Sequence, residues 1–360
     1  MSSDEEFDPK VEFLIGQVSG NPVAMLMLAR TLLVPAGKII RAETLCQAAL
    51  ELAPGDAQVM ALAQAIRSRI VGGWYFTMIQ DHLRHARYVD AFRKIVTPGC
   101  TVLDIGAGTG LFAMLLAREG AGKVVACERN PLVADAAREI IQLNGYSDRI
   151  TVIAKDSREL EIGSDLEERA DLLLWDNLSN DLLGAGAVKA IEDARQRLLK
   201  PNASLIPRRC EMRVALVQAD AACGSRMGIA EGFDMTPFNR FRPTQVTVTR
   251  SQFDRRSDSA TIFDFDFAAD EVVKPGTGVA EVTATGGSVD GIVQWLRFHL
   301  GDGILYDTGE DEDVPAFGIQ FHAVESFDAE PGQRVTLCGA HDRQRTWLWT
   351  GGAAPKRPLT

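Results

Sequence analysis

The sequence is poor in the features that mark out whole classes of protein. Its six cysteines stand far apart, with no CxxC and no histidines clustered beside them. That excludes a disulfide framework and a zinc site, and fits reduced thiols in a cytoplasmic setting. The five histidines are equally dispersed, so no metal is expected. No apolar run approaches the roughly 20 residues that a membrane-spanning helix needs. The acidic opening MSSDEEFDPK lacks the apolar stretch of a secretory signal. Positive charge is also in deficit. A net charge of −11 argues against a general nucleic-acid binder and suits a cationic partner.

What is present divides the 360 residues into parts, as a chain this long should. Residues 1–72 are expected to form a helical module. In it GNPVAMLMLA from Gly20 and PGDAQVMALA from Pro54 are offset by one 34-residue period, superposing Leu28 and Ala29 on Leu62 and Ala63. That is the period of tetratricopeptide helix pairs, though a plain helical bundle accounts for small and apolar matches equally well. Residues 73–207 alternate apolar strands (101–106, 123–128, 150–156, 171–176, 203–207) with amphipathic helices, the last of which, GAVKAIEDARQRLLKP (186–201), closes on a proline. The pattern predicts an α/β domain, a doubly wound, Rossmann-like parallel sheet covered on both faces. Beyond Pro207 short β-rich runs broken by Gly, Pro and Asp predict an antiparallel β-barrel or sandwich over 208–360.

The first strand of the middle domain runs into VLDIGAGTGLF, with Gly106, Ala107, Gly108 and Gly110 leading into a helix. Glycine there lets the backbone turn tightly and approach a ligand, and the helix N-terminus points at it. Asp104 precedes the loop, Glu128 ends the second strand, and the third strand ends in AKDS, with Asp156 and Ser157. A carboxylate at the second strand end accepts from both ribose hydroxyls of a nucleoside. Asp156 is placed to accept from an adenine amine. A dinucleotide site wants G-x-G-x-x-G. The tighter G-x-G-x-G, ringed by acids, fits S-adenosylmethionine, which has no pyrophosphate.

Together with this loop, WYFTMIQDHLRHARYVDAF (residues 74–92) resembles the protein arginine methyltransferases. In that family a helix of the form M-L-x-D-x-x-R-x-x-x-Y precedes the donor loop; here it reads Met78, Ile79, Asp81, Arg84 and Tyr88. DARQRLLKPNASLIP and the β-rich C-terminal half extend the likeness over about 280 residues, and one branch of the family carries a tetratricopeptide-like N-terminus. The resemblance implies a methyl donor, S-adenosylmethionine, held by Met78, Arg84, Asp104, Gly106, Ala107, Gly108, Gly110, Glu128, Asp156 and Ser157. It implies a guanidinium acceptor in a protein, a peptide or free arginine, faced by Asp176 and Asp81. It also implies a homodimer formed through an arm near 223–245, which includes GFDMTPFNRFRP. Read physically, Asp81, Arg84 and Tyr88 fall on one helix face. Arg84 would then grip the donor carboxylate or form a surface pair with Asp81. His82 and His85 fall off that face and read as exposed polar residues.

Two family features are missing. The fourth strand of family members ends in a hairpin with two glutamates nine residues apart, which clamp the substrate guanidinium. Here Asp176 takes the first place and Ala185 the second, and the T-H-W loop reads Pro315, Ala316, Phe317. Asp181 or Glu192 would have to supply the second acid, or the acceptor differs, or the domain binds donor without transfer. Asp176 itself reads either as a substrate contact or as a turn cap. The acidic run Gly309 to Asp313 reads either as a basic-peptide contact or as a solvated loop.

Overall fold

The computed structural model describes residues 8–176, 179–180, 182–220, 227–243, 245–269, 273–310 and 318–351. The N-terminal helices are α1 (Pro9–Val18), α2 (Pro22–Leu28), α3 (Ile39–Leu52) and α4 (Ala57–Ile70). Asp8, Asn21 and Asp56 cap α1, α2 and α4 through side-chain oxygens, satisfying backbone donors that a helix start leaves open. Leu26, Ala29, Leu33, Ala42, Ala49, Ala63 and Ile66 form their common core. Asn130 Nδ2 donates to the Ile70 carbonyl at 3.2 Å and ties this module to the next.

α5 (Trp74–Gln80) and α6 (His82–Ile95) follow, then β1 (Thr101–Ile105), α7 (Leu111–Arg118), β2 (Lys123–Cys127), α8 (Pro131–Leu143), β3 (Ile150–Ile153), β4 (Ala170–Trp175), α9 (Ala187–Arg197) and β5 (Leu199–Ile206). The five strands are all parallel, in the order β3-β2-β1-β4-β5. β1, β2 and β4 are buried on both faces, which is why their sequences are almost uninterruptedly apolar. Two boundaries differ from expectation. β3 stops at Ile153, so Asp156 lies in the following loop. α9 ends at Arg197, and Leu199 to Pro201 belong to β5 rather than to the helix.

The antiparallel part opens with β6 (Arg209–Ala219). It continues through β7 (Ile229–Ala230), β8 (Phe233–Asp234), β9 (Gln245–Val248), β10 (Phe253–Arg255), β11 (Ala260–Asp266), β12 (Gly276–Thr283), β13 (Gly287–Gly301), β14 (Ile304–Asp307), β15 (Ile319–Ala329), β16 (Arg334–His341) and β17 (Thr346–Thr350). A seven-stranded sheet is built around the long strands β6, β13 and β15, and a three-stranded sheet is ordered β12-β16-β17. One apolar core runs without a break from the parallel sheet into these sheets. At the seam the Trp175 indole packs edge-on against Phe267, with centroids 4.5 Å apart, and donates to the Pro207 carbonyl at 2.7 Å. Burying an aromatic together with its polar edge fixes the relative position of the two domains.

Candidate active site

Ile105 of β1 pairs with Cys127 of β2 on one side and with Trp175 of β4 on the other. The next residues, Gly106, Glu128 and Asp176, therefore leave the sheet side by side at its carboxyl edge, where open α/β sheets hold ligands. Gly106, Gly108 and Gly110 all have positive φ. At Gly110, the first residue before α7, a Cβ would also meet Ile141 at 2.9 Å, so a larger residue is both strained and crowded. The loop is pinned from beneath. Gly108 N–H donates to Glu128 Oε2 at 3.0 Å, and Asn130 N–H donates to Glu128 Oε1 at 2.7 Å.

These elements surround a cleft of about 560 Å³. Met78, Arg84, Asp104, Gly106, Ala107, Gly108, Glu128, Asp156, Ser157 and Asp176 line it, so the structure brings ten of the expected site residues together. Gly110 is set back at the start of α7. Asp104 is buried, and its Oδ2 has no hydrogen-bond partner among the described residues. Burial, reinforced by the nearby Glu128, pushes its carboxyl up to about 7. Burial raises Glu128 as well, against the two backbone donors it accepts. Asp156 differs. Arg158 grips it through Nε at 2.8 Å and Nη2 at 2.7 Å, which holds its carboxyl below the usual range.

The expected single helix through Met78 and Tyr88 is broken at Asp81. The backbone leaves helical geometry there, and the carboxylate caps α6 by accepting from Arg84 N–H at 2.8 Å. Asp81 therefore does not share an open face with Arg84. It is 1% exposed and does not line the cleft, so it faces the Tyr306 hydroxyl, 2.6 Å away, rather than an acceptor. Nor is Arg84 in a surface pair with Asp81. Its guanidinium is buried, forms an ion pair with Asp176, donates to the Met78 carbonyl at 3.3 Å, and lies over the Phe112 ring at 4.5 Å. Burial lowers its proton affinity, yet a guanidinium stays charged under any physiological condition. The other Asp176 oxygen accepts from Tyr88 at 2.7 Å, which makes Asp176 more than a turn cap.

Two further expectations are corrected. His85 is half-buried, bonded to the Met78 carbonyl at 3.0 Å and edge-on to Phe112, while His82 is exposed. Glu192 does not reach the cleft; it pairs with Arg343 of the antiparallel domain. Asp181, residues 311–317 with Pro315, Ala316 and Phe317, residues 223–226 and 244 of the arm, and the Ala185 side chain lie outside the described residues. Sequence reasoning passed over Phe112 as the shelf for Arg84, Tyr88 as the donor to Asp176, and Tyr75 as a cleft wall. Of these, Tyr88 was signalled by its place four residues after Arg84. Among the described residues there is no group of three metal-ligating side chains, and no helix long and apolar enough to cross a membrane.

An arginine N(omega)-methyltransferase of Streptomyces achromogenes subsp. streptozoticus is 35% identical over 262 residues, which cover 70% of either chain. The chain belongs to the arginine N-methyltransferase family. Such an enzyme depends on S-adenosylmethionine. Residues 78–179, from the α5 methionine to four residues beyond β4, match the family described as TRM5/TYW2 methyltransferase domain. Protein arginine N-methyltransferase 1.6 of Arabidopsis thaliana is 30% identical over 63% of this chain, and protein arginine N-methyltransferase 7 of Oryza sativa subsp. indica 29% over 78%. The matches span only 34% and 41% of those longer plant proteins. Among solved structures, the Trypanosoma brucei PRMT1 enzyme-prozyme heterotetrameric complex with AdoHcy shares the fold. Its TM-score is 0.66 at 24% identity, over 74% of this chain and 87% of that one. Arabidopsis thaliana protein arginine methyltransferase 10 gives 0.61 at 18% identity, over 76% and 95%.

Proposed function

We propose that this arginine methyltransferase delivers the methyl group to a terminal guanidinium nitrogen of arginine, free or within a peptide, and that Asp176 receives that guanidinium. One observation carries the reading. Asp176 is a buried carboxylate at the C-terminal end of β4, steadied by Tyr88 and already holding a guanidinium, that of Arg84. A site that binds its own arginine side chain in this way has the charge and hydrogen-bonding capacity to bind another.

The cleft fits the donor. The unpartnered Asp104 oxygen suits an ammonium, Glu128 a ribose diol, Asp156 and Ser157 an adenine edge, and Arg84 with Met78 the donor's carboxylate end. When bound, S-adenosylmethionine supplies an electrophilic methyl group on a sulfonium sulfur. The protein's part is positioning. Asp176 localises the acceptor's charge so that one terminal nitrogen is turned toward the donor side of the cleft, and Phe112 and Tyr88 keep that corner dry.

Three parts carry these roles: 1–72, 73–207 and 208–360. Leu28 and Leu62, both half-buried, and Ala29 and Ala63, both buried, support a tetratricopeptide-like pairing of α2 with α4. The exposed Phe233, Phe238 and Phe241 support a dimerisation arm. A cytoplasmic location rests on the scattered thiols alone. Labelled donor offered to free arginine, an arginine-rich peptide and histidine tests the acceptor. Transfer is expected to one or both arginine substrates. Transfer to histidine, or none despite bound donor, overturns the reading.

A further inference from the structure

The geometry points to Tyr306 as a positioning residue for methyl transfer, which acts through Asp81 on the corner that carries Met78 and Arg84. The inference rests on the methyltransferase reading above and adds a residue from the antiparallel domain to it.

Asp81 is the residue at which the helix before the donor loop breaks, between the end of α5 at Gln80 and the start of α6 at His82. Both of its oxygens are committed. Oδ1 accepts from Arg84 N–H at 2.8 Å, and Oδ2 accepts from the Tyr306 hydroxyl at 2.6 Å. Tyr306 lies on β14, is fully buried, and stacks on Phe298 of β13 with centroids 6.0 Å apart. Burial and the bond to Asp81 hold its phenol protonated, so it can only donate to the carboxylate.

The residues on either side of this corner line the cleft, while Asp81 and Tyr306 do not. Met78 is on α5 and Arg84 on α6, and the Arg84 guanidinium spans the break by donating to the Met78 carbonyl. A rotation of the Asp81 carboxylate would therefore move the first turn of α6, and with it the guanidinium that pairs with Asp176. The Tyr306 hydroxyl prevents that rotation from a separate sheet. Side chains that hold a reactive group in place from behind matter because displacements of about 1 Å cost up to about 100-fold in rate.

Tyr306→Phe keeps the ring stacked on Phe298 and removes the hydroxyl that donates to Asp81. Asp81→Ser keeps an oxygen to cap Arg84 N–H but has none left for the phenol. Binding of S-adenosylhomocysteine by calorimetry and kcat with saturating acceptor are read for each variant, at a temperature where circular dichroism shows it folded. Both variants are expected to weaken ligand binding about five- to twentyfold and to lower kcat about tenfold or more, and the double variant should be no worse than the weaker single one. A bond that only stabilises the fold would lower the melting temperature and leave affinity and kcat at wild-type values; that result overturns the inference. Additive losses in the double variant overturn it too. If Tyr306→Phe does not fold, Asp81→Ser alone decides. A wild-type protein that binds no donor would instead defeat the methyltransferase reading.

Discussion

The Arg84 guanidinium and the Asp176 carboxylate form a buried ion pair across the mouth of the parallel sheet, with Phe112 beneath the arginine and Tyr88 behind the aspartate. Arg84 stands on α6, ahead of β1 and the glycine loop, and Asp176 directly follows β4; on the function proposed above, the pair joins the donor and acceptor sides of the site. Removing one member of a buried pair leaves the other charged and unmatched, which costs more than the pair itself contributes.

Arg84→Ala should therefore lower unfolding stability by about 3 kcal/mol and weaken donor binding at least tenfold. Arg84→Lys should recover part of the stability and little of the affinity, because an ammonium lacks the planar fork and the stacking on Phe112. Urea denaturation and calorimetry measure the two effects, and equal affinity in the lysine variant would contradict the expectation.

Asp176→Asn retains an oxygen for the Tyr88 hydroxyl but abolishes the charge. Transfer should fall by about 100-fold or more, with donor affinity changed by less than about fivefold. Single-turnover assays beside equilibrium binding separate the two. Unchanged turnover would return Asp176 to a purely structural place.

Glu128→Ala should lose donor binding and also lower the melting temperature, because Glu128 accepts from both Gly108 and Asn130 backbone donors. Glu128→Gln keeps an oxygen for only one of them and is expected to fall between. Tight donor binding by the alanine variant would remove Glu128 from the donor site.

Asp104 gives the site a pH dependence. Its folded pKa of about 7 stands above the ordinary carboxylate value, so the folded chain holds a proton that the unfolded chain releases at lower pH. Stability from this group is present below about pH 4 and is lost as pH rises toward 7, by on the order of 2–4 kcal/mol. A donor ammonium favours the carboxylate, so donor affinity should fall as pH drops below 7, up to about tenfold per unit. Asp104→Asn should flatten both profiles, as melting and binding series across pH 5–8 would show.

Much of this could be read from local sequence. The glycine loop, Asp104 and Glu128 sit within a few residues of strand ends that announce themselves by apolar runs, and the carboxyl edge of a parallel sheet does the rest. Local spacing misled where tertiary contacts decide. Asp81, Arg84 and Tyr88 have perfect helical spacing, yet Asp81 leaves the helix to cap the next one and to meet Tyr306. Arg84 finds Asp176 only because β4 lies next to β1. Leu199 to Pro201 look like a helix end and instead extend a strand. Asp156 is held by Arg158, a neighbour whose grip no pattern of acids foretells.

The neighbouring strands β1 and β4 divide the labour in a way that has evolutionary weight. The glycine loop follows one strand and Asp176 the other, roughly 5 Å away across a single ladder. Changes in the stretch after Asp176, where Ala185 stands, would leave the loop after β1 as it is. On the function proposed above, acceptor preference could then change through short local substitutions in one segment of the chain while the donor side keeps its frame.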